Sequence, residues 1–302
     1  MSIFHKKGIA LFITLLFIML ITISIGVGLK QVNEASKSIR SENFLFQTNI
    51  ILDDVLMLLE TSKELEAIKT SDDFAIFLAE TSTLPFESSG VKVSLDLQSA
   101  RSKFDINSLM TKDKVELHRV NALKRYLSSY MININFVDIM LDLMGGVKED
   151  ISYNSDIFNE KPYLYRDYIA SQKHFDELKD FYRDYYHDNS LKNINFEELF
   201  YFTNNDSYII DLNYATPDIW ELMLGVDKLK AQDLNLNAGA YTELADLNLQ
   251  NDQLELLKKF ETSFYEPYLD VVVEIIEDEL SAIIRFEYDI QKREGSNFVY
   301  EI

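Results

Sequence analysis

GIALFITLLFIMLITISIGVGLK, residues 8–30, contains 21 consecutive residues without a charge, Ile9 to Leu29. A helix rises roughly 1.5 Å per residue, so a run of this length matches the ~30 Å hydrocarbon core of a bilayer. The run predicts a membrane-spanning helix over residues 9–29. Lys6 and Lys7 lie on its short N-terminal flank, and basic flanks stay on the cytoplasmic side. The expectation is a single pass, with the N-terminus cytoplasmic and the rest exported. A cleaved secretory signal is the alternative, but its apolar region is usually ~7–15 residues and ends at a small-x-small site. The run here is longer and has no such site.

All 50 acidic residues of the 302-residue chain lie beyond this run. With Lys6 and Lys7 set aside, 27 basic residues face 50 acidic ones, so the remainder carries a formal charge of -23. Such a field repels phosphate backbones and anionic lipid surfaces, and direct nucleic-acid binding is not expected. The composition is otherwise that of a folding chain, 47% hydrophobic and 13% aromatic with 4 Pro. The absence of Cys excludes thiol catalysis, thiolate metal sites and disulfides.

From Gln31 to about Ile68, apolar residues recur at Val32, Ala35, Ile39, Phe46, Ile50, Val55, Leu58, Leu59 and Leu65 with charges between them. The spacing is helical. No Gly or Pro interrupts Leu29 to Leu84, so the membrane helix is expected to continue unbroken into an amphipathic stretch, residues 30–68. A short helix is predicted over Ser71 to Glu80. VKVSLDL, Val91 to Leu97, alternates perfectly and reads as a half-buried strand, with Lys103 to Leu109 expected to return beside it. Tyr268 to Ile276 and Leu280 to Ile290 also alternate. With a turn over Lys292 to Asn297 and a last strand Phe298 to Ile302, they predict an antiparallel meander.

Residues 111–262 between these strands read as helical. Candidate helices cover Lys112 to Met131, Phe136 to Met144 and His174 to Asp188. Another begins at Thr216-Pro217-Asp218, where an N-cap, a proline at the first helical position and a first-turn acid coincide. The fold class is α+β: a long N-terminal helix on a small antiparallel sheet, regions 85–110 and 263–302, with an all-helical subdomain inserted.

These pieces, in this order, resemble one family. A basic leader, residues 1–8, ending in Gly8 before Ile9-Ala10-Leu11 resembles a prepilin-peptidase substrate of the type IV pilin-like superfamily. Most members carry Glu at the fifth mature position; here it is Ile13. Together with the large insertion, this resembles the K-type minor pseudopilins of type II secretion systems (general secretion pathway protein K), which lack that Glu. KFDINSL (Lys103 to Leu109), HFDELKDF from His174 and DLNYATPDIWELMLGV (Asp211 to Val226) are similar to motifs of that family.

The resemblance implies a non-enzymatic assembly subunit in the bacterial inner membrane with a periplasmic domain. Its partners would be the I and J type minor pseudopilins, with which it forms the tip complex that primes the pseudopilus for export of folded proteins. It also implies a possible calcium site, since cap subunits of the family are associated with calcium. The corresponding segment here is Met140 to Phe158, where Asp142, Glu149, Asp150 and Asp156 are candidate ligands, each read first as a solvated surface charge rather than a ligand. The segment departs from the family's tryptophan-aspartate pattern.

The alternative is a minor pilin or pseudopilin of a type IV pilus or a DNA-uptake machine. Leu212 to Val226 loosely resembles a helix-hairpin-helix module, although Asp227 follows Gly225-Val226 where a second glycine is expected. An enzyme finds little support. His5, His118, His174 and His187 fall in no H-E-x-x-H pattern, and there is no G-x-S-x-G or phosphate-binding glycine loop. The leader generates the first prediction. Mass spectrometry of the mature chain should show cleavage between Gly8 and Ile9, with Ile9 N-methylated; a chain beginning at Met1, or beyond residue 20, would refute it.

Overall fold

The computed structural model describes residues 40–88, 90–111, 114–148, 152–203, 208–236 and 239–301. The leader, the apolar run 9–29 and the first part of the amphipathic stretch lie outside the described residues. No helix among the described residues is long and apolar enough to cross a membrane.

Helix α1 occupies residues 40–61 and ends at Ser62. The expectation of an unbroken helix to residue 68 is corrected here. No glycine or proline is needed for the break. The Ser62 hydroxyl accepts from Leu65 N and starts a new short helix, α2 (Lys63–Ala67), because serine competes for backbone donors better than it continues a helix. Helix α3 (Ser71–Thr81) follows, fixed by a capping box in which Thr70 accepts from Asp73 N and Asp73 accepts from Thr70 N.

The main sheet has five antiparallel strands in the order β1-β2-β9-β10-β11. These are β1 (Thr83–Ser88), β2 (Val91–Ser99), β9 (Tyr268–Glu277), β10 (Leu280–Asp289) and β11 (Glu294–Glu301). The alternation in β2 works as the sequence predicts: Leu95 and Leu97 are buried beside Val271, Val273 and Ile275 of β9. The neighbours of β2 differ from expectation. The predicted return strand Lys103 to Leu109 is instead a two-residue β3 (Phe104–Asp105) and a 3-10 turn, Ile106–Leu109. Residues 83–88 take the edge beside β2. Pro85 hides this strand from a sequence reading, yet an edge strand tolerates the missing N–H. The last strand also starts earlier than expected, at Glu294, and a bulge opposite Phe286 absorbs the extra residue.

Between β2 and β9 the chain builds a second body. It contains α4 (Leu117–Ser129), α5 (Asn135–Met144), α6 (Ile157–Glu160), α7 (Gln172–Tyr186), α8 (Phe196–Leu199), α9 (Pro217–Leu224), α10 (Lys228–Leu236) and α11 (Asn251–Leu257). It has its own core, which includes Trp220, Phe136, Phe175 and Tyr182. The expectation of an all-helical insertion is corrected by small bridges. β4 (Met110–Thr111) pairs antiparallel with β5 (Lys114–Val115). β3 pairs parallel with β6 (Phe200–Tyr201), and β7 (Ile210–Asp211) pairs parallel with β8 (Thr262–Ser263). Thr216 occupies the N-cap of α9 by conformation, but its hydroxyl makes no cap bond.

Two motif asparagines close this body internally. Asn213, fully buried, has Tyr241 O and Phe264 O within reach of Nδ2, and Oδ1 accepts from Gly239 N and Tyr241 N. Asn107 brackets Ile169, donating to its carbonyl and accepting from its N–H, and also donates to Thr203 O. A primary amide offers two donors and an acceptor in one plane, and so pins loops that have no ladder of their own.

The insertion meets the sheet at a buried charge pair. Arg101 is 1% exposed and donates to both oxygens of Glu287 on β10, at 2.5 and 2.8 Å. Its guanidinium carbon lies 3.9 Å from the Tyr268 ring centroid and 4.6 Å from that of Tyr208. Burial opposes the charge, but the Glu287 carboxylate outweighs it and raises the Arg101 pKa. The Tyr208 hydroxyl lies 2.9 Å from both Ala100 O and Lys103 O and has one proton to give to the pair. Nearby Asp105 is fully enclosed, and burial pushes its carboxyl up to about 8, against the pull of the Asn107 and Thr203 N–H groups and of Arg119 and Arg101.

Asp105 therefore sets a pH dependence. Between about pH 4 and pH 8 the folded chain holds a proton that the unfolded chain has lost, so stability falls as pH rises across that window. The limiting slope for one proton is about 1.4 kcal/mol per pH unit. Urea unfolding of the detergent-solubilised chain should show a flatter pH profile for Asp105→Asn than for the wild type, because the amide still accepts from Asn107 N and carries no titrating proton.

Candidate docking surface

Helix α1 carries more apolar residues than one face of a helix can bury. Phe44, Thr48, Leu52 and Leu59 form the buried stripe that lies on the sheet, supported by half-buried Val55 and Leu56. Phe46, Ile50 and Met57 fall on the opposite side and are 67%, 45% and 60% exposed. The sequence reading placed Phe46, Ile50 and Val55 on one face. The structure corrects this: Val55 turns to the sheet and the other two turn outward. The signal was present in the count of apolar residues, which fills two stripes separated by half a helical turn.

The helix is held against the sheet at both ends. Arg40 pairs with Asp278 at the tip of the β9–β10 hairpin. At the other end, Arg293 donates to Glu60 O at 3.4 Å and pairs with Glu66. Midway the contact is so close that a Cβ on Gly295 would stand 2.8 Å from Phe298 Cζ and 3.1 Å from Leu56 Cδ2. Any larger residue at 295 would push the Phe298 ring and the Leu56 side chain aside where α1 approaches β11. Phe298 stacks on Phe286 at 5.0 Å and, with Tyr300, leaves part of its ring exposed at the open edge of the sheet. Around the outer stripe, Glu42, Asp53, Asp54 and Glu60 are exposed, with Arg40 the one cation on the described part of the helix. The surface is apolar along its centre and acidic at its margins. It fits a helix with an apolar stripe and basic flanks.

The processing residues Lys6, Lys7, Gly8, Ile9 and Ile13 lie outside the described residues, as do Glu149 and Asp150. Asp142 is not a surface charge. It is fully buried, and its oxygens accept from Asn154 N and Nδ2 and from Ser155 N and Oγ at 2.7–3.0 Å. Calcium takes six to eight oxygens, whereas this carboxylate is already saturated by protein donors, so it does not fit a calcium ligand. Asp156 is exposed and accepts from Tyr185 Oη and Asn159 Nδ2. No group of three or more His, Cys, Asp or Glu among the described residues is arranged to hold a metal.

The α9–α10 connection is a helical hairpin through Gly225, in the left-handed region at φ 64°. Arg125 fills the space beside it and donates through Nη2 to Leu222 O and Met223 O. What this hairpin presents is the carbonyl end of α9, neutralised by the chain's own guanidinium, and not a row of N–H groups. Asp227 accepts from Lys230 N. His174 and His187 sit at opposite ends of α7, the latter as its left-handed C-cap. Burial lowers the His174 pKa, and its Nδ1 accepts from Ala170 N. His118 lies edge-on to Phe260.

No family model matches the chain, and no curated protein matches it. Among solved structures, the fold is similar to a chain of the GspK–GspI–GspJ complex from the enterotoxigenic Escherichia coli type 2 secretion system, with a TM-score of 0.52 and 13% sequence identity. The likeness covers 89% of this chain and 98% of that one.

Proposed function

We propose that this chain is a minor pseudopilin of the K type that sits at the distal tip of a type II secretion pseudopilus and primes its assembly. The observation that carries the reading is the double-striped α1. One stripe is spent on the chain's own sheet, while Phe46, Ile50 and Met57 face outward, exposed among the described residues. An exposed apolar stripe on a helix is a docking element. The fold shared with the GspK–GspI–GspJ complex supports companion minor pseudopilins as the partners.

The remaining steps rest on sequence. Residues 9–29 anchor the chain in the inner membrane, and prepilin peptidase releases the leader after Gly8. Pilin-like filaments use a carboxylate at the fifth mature position to neutralise a neighbour's terminal ammonium, because an unpaired charge within an apolar bundle is expensive. Ile13 cannot supply it, which suits a position above which no further subunit docks. The insertion of residues 111–262 would obstruct stacking along a shaft.

Co-expression with the companion I and J type pseudopilins tests this reading. The wild-type chain should purify in a stoichiometric complex and should not polymerise alone. Ile50→Glu and Met57→Glu should each weaken the complex by about 2 kcal/mol or more, roughly thirtyfold, while leaving the melting temperature of the isolated chain unchanged, since both positions are exposed. A homopolymer, or a complex indifferent to both substitutions, would overturn it.

A further inference from the structure

The outer stripe of α1 is interrupted. Phe46, Ile50 and Met57 lie within about 20° of one line along the helix, and between Ile50 and Met57 that line runs for about two turns, roughly 10 Å, without an apolar residue. Asp53 and Asp54 occupy this gap. At 3.6 residues per turn they fall about 40° and 60° to either side of Met57, so the two carboxylates straddle the stripe. Both are exposed, and among the described residues neither has a hydrogen bond or ion pair. The helix has no cation to offer them: Arg40, the one cation on its described part, pairs with Asp278.

An aspartate carboxylate stands one methylene from its backbone and cannot reach round a covering helix to water, as a longer side chain can. A partner helix lying on Phe46, Ile50 and Met57 must therefore bring a charge to this gap, because an unpaired carboxylate under an apolar surface is expensive. Lysine and arginine supply both things the gap lacks. Their stems lie along apolar surface and their charged ends extend beyond it, so the stem fills the space between Ile50 and Met57 while the cation meets the carboxylates. Glu42 and Glu60, also exposed on this helix, agree in sign and attract the same partner.

We propose that Asp53 and Asp54 fix the axial register of the docked partner, a helix of a companion minor pseudopilin that carries a lysine or arginine opposite the gap between Ile50 and Met57. This register rests on α1 being the docking helix. Apolar contacts alone tolerate a slip along the stripe. A charge inside the seam does not: after a slip of one turn, about 5.4 Å, the cation lies on Ile50 or Met57 and apolar side chains cover the carboxylates. A single polar residue sets the register of a coiled coil in the same way.

The chain has no Cys, so Asn43→Cys, at an exposed position beside the stripe, gives a unique thiol for cross-linking to companions that carry single cysteines along their helices. With the detergent-solubilised full chain, cross-links should concentrate within one turn of the partner. Asp53→Asn combined with Asp54→Asn should still form the complex, at about tenfold lower affinity in low salt and with a shallower salt dependence, and should spread the cross-links over neighbouring turns. Asp252→Asn, an exposed carboxylate on α11, should change none of these. Either an unchanged affinity or an unchanged cross-link pattern in the double variant would overturn the register while leaving the docking itself, which Ile50→Glu tests, in place. Failure of the wild-type chain to form the complex would overturn both.

Discussion

The two bodies of this protein are joined by the bidentate contact between Arg101 and Glu287. Arg101 lies two residues past the end of β2, where the chain leaves the sheet, and Glu287 lies near the end of β10. Each is a full charge removed from water, a cost of several kcal/mol that only good geometry offsets. The geometry is supplied from both sides: Tyr268 and Tyr208 sandwich the guanidinium, and the Tyr208 hydroxyl holds the adjoining carbonyls. Removing one partner strands the other, at about 3–5 kcal/mol. An apolar junction of the same area would tolerate sliding between insertion and sheet. A paired charge fixes one orientation.

Much of this architecture is legible in the sequence where local periodicity and local structure share a cause. Val91 to Leu97 and Leu280 to Ile290 alternate because one face of each strand is buried, and both are strands. The stripe of Phe175, Leu178, Phe181 and Tyr182 recurs at helical spacing and is the buried face of α7. Legibility ends where a non-local partner decides. Phe104 and Asp105 look like a strand returning on β2, yet their partner is Phe200-Tyr201, nearly a hundred residues away. Ser62 ends a helix through a hydroxyl whose choice between solvent and cap leaves no periodic trace.

The candidate surface was half legible. Helical spacing placed Phe46 and Ile50 on an amphipathic helix, but which stripe faces the sheet depends on the sheet being there, and Thr48 takes a buried position that hydropathy would not assign. The acidic segment around Asp142 looked like a ligand set because carboxylates are conspicuous. Its donors, Asn154 and Ser155, are inconspicuous, and they turn the carboxylate into a loop clamp. Asn107 and Asn213 show the converse: residues that stand out within recognisable motifs act inside the molecule, not at its surface.

The insertion leaves and re-enters the sheet at one point, where Ala100 N donates to Tyr268 O at 2.9 Å. Its two ends are thus a single hydrogen bond apart, and this has a mechanical consequence. A pull along α1 passes from the helix into β10 and β11, through the buried stripe and the Arg40 and Arg293 anchors, and is resisted in shear by the antiparallel ladders. The insertion hangs beside that line of force. It is not stretched by such a pull, because both of its ends move together with the sheet.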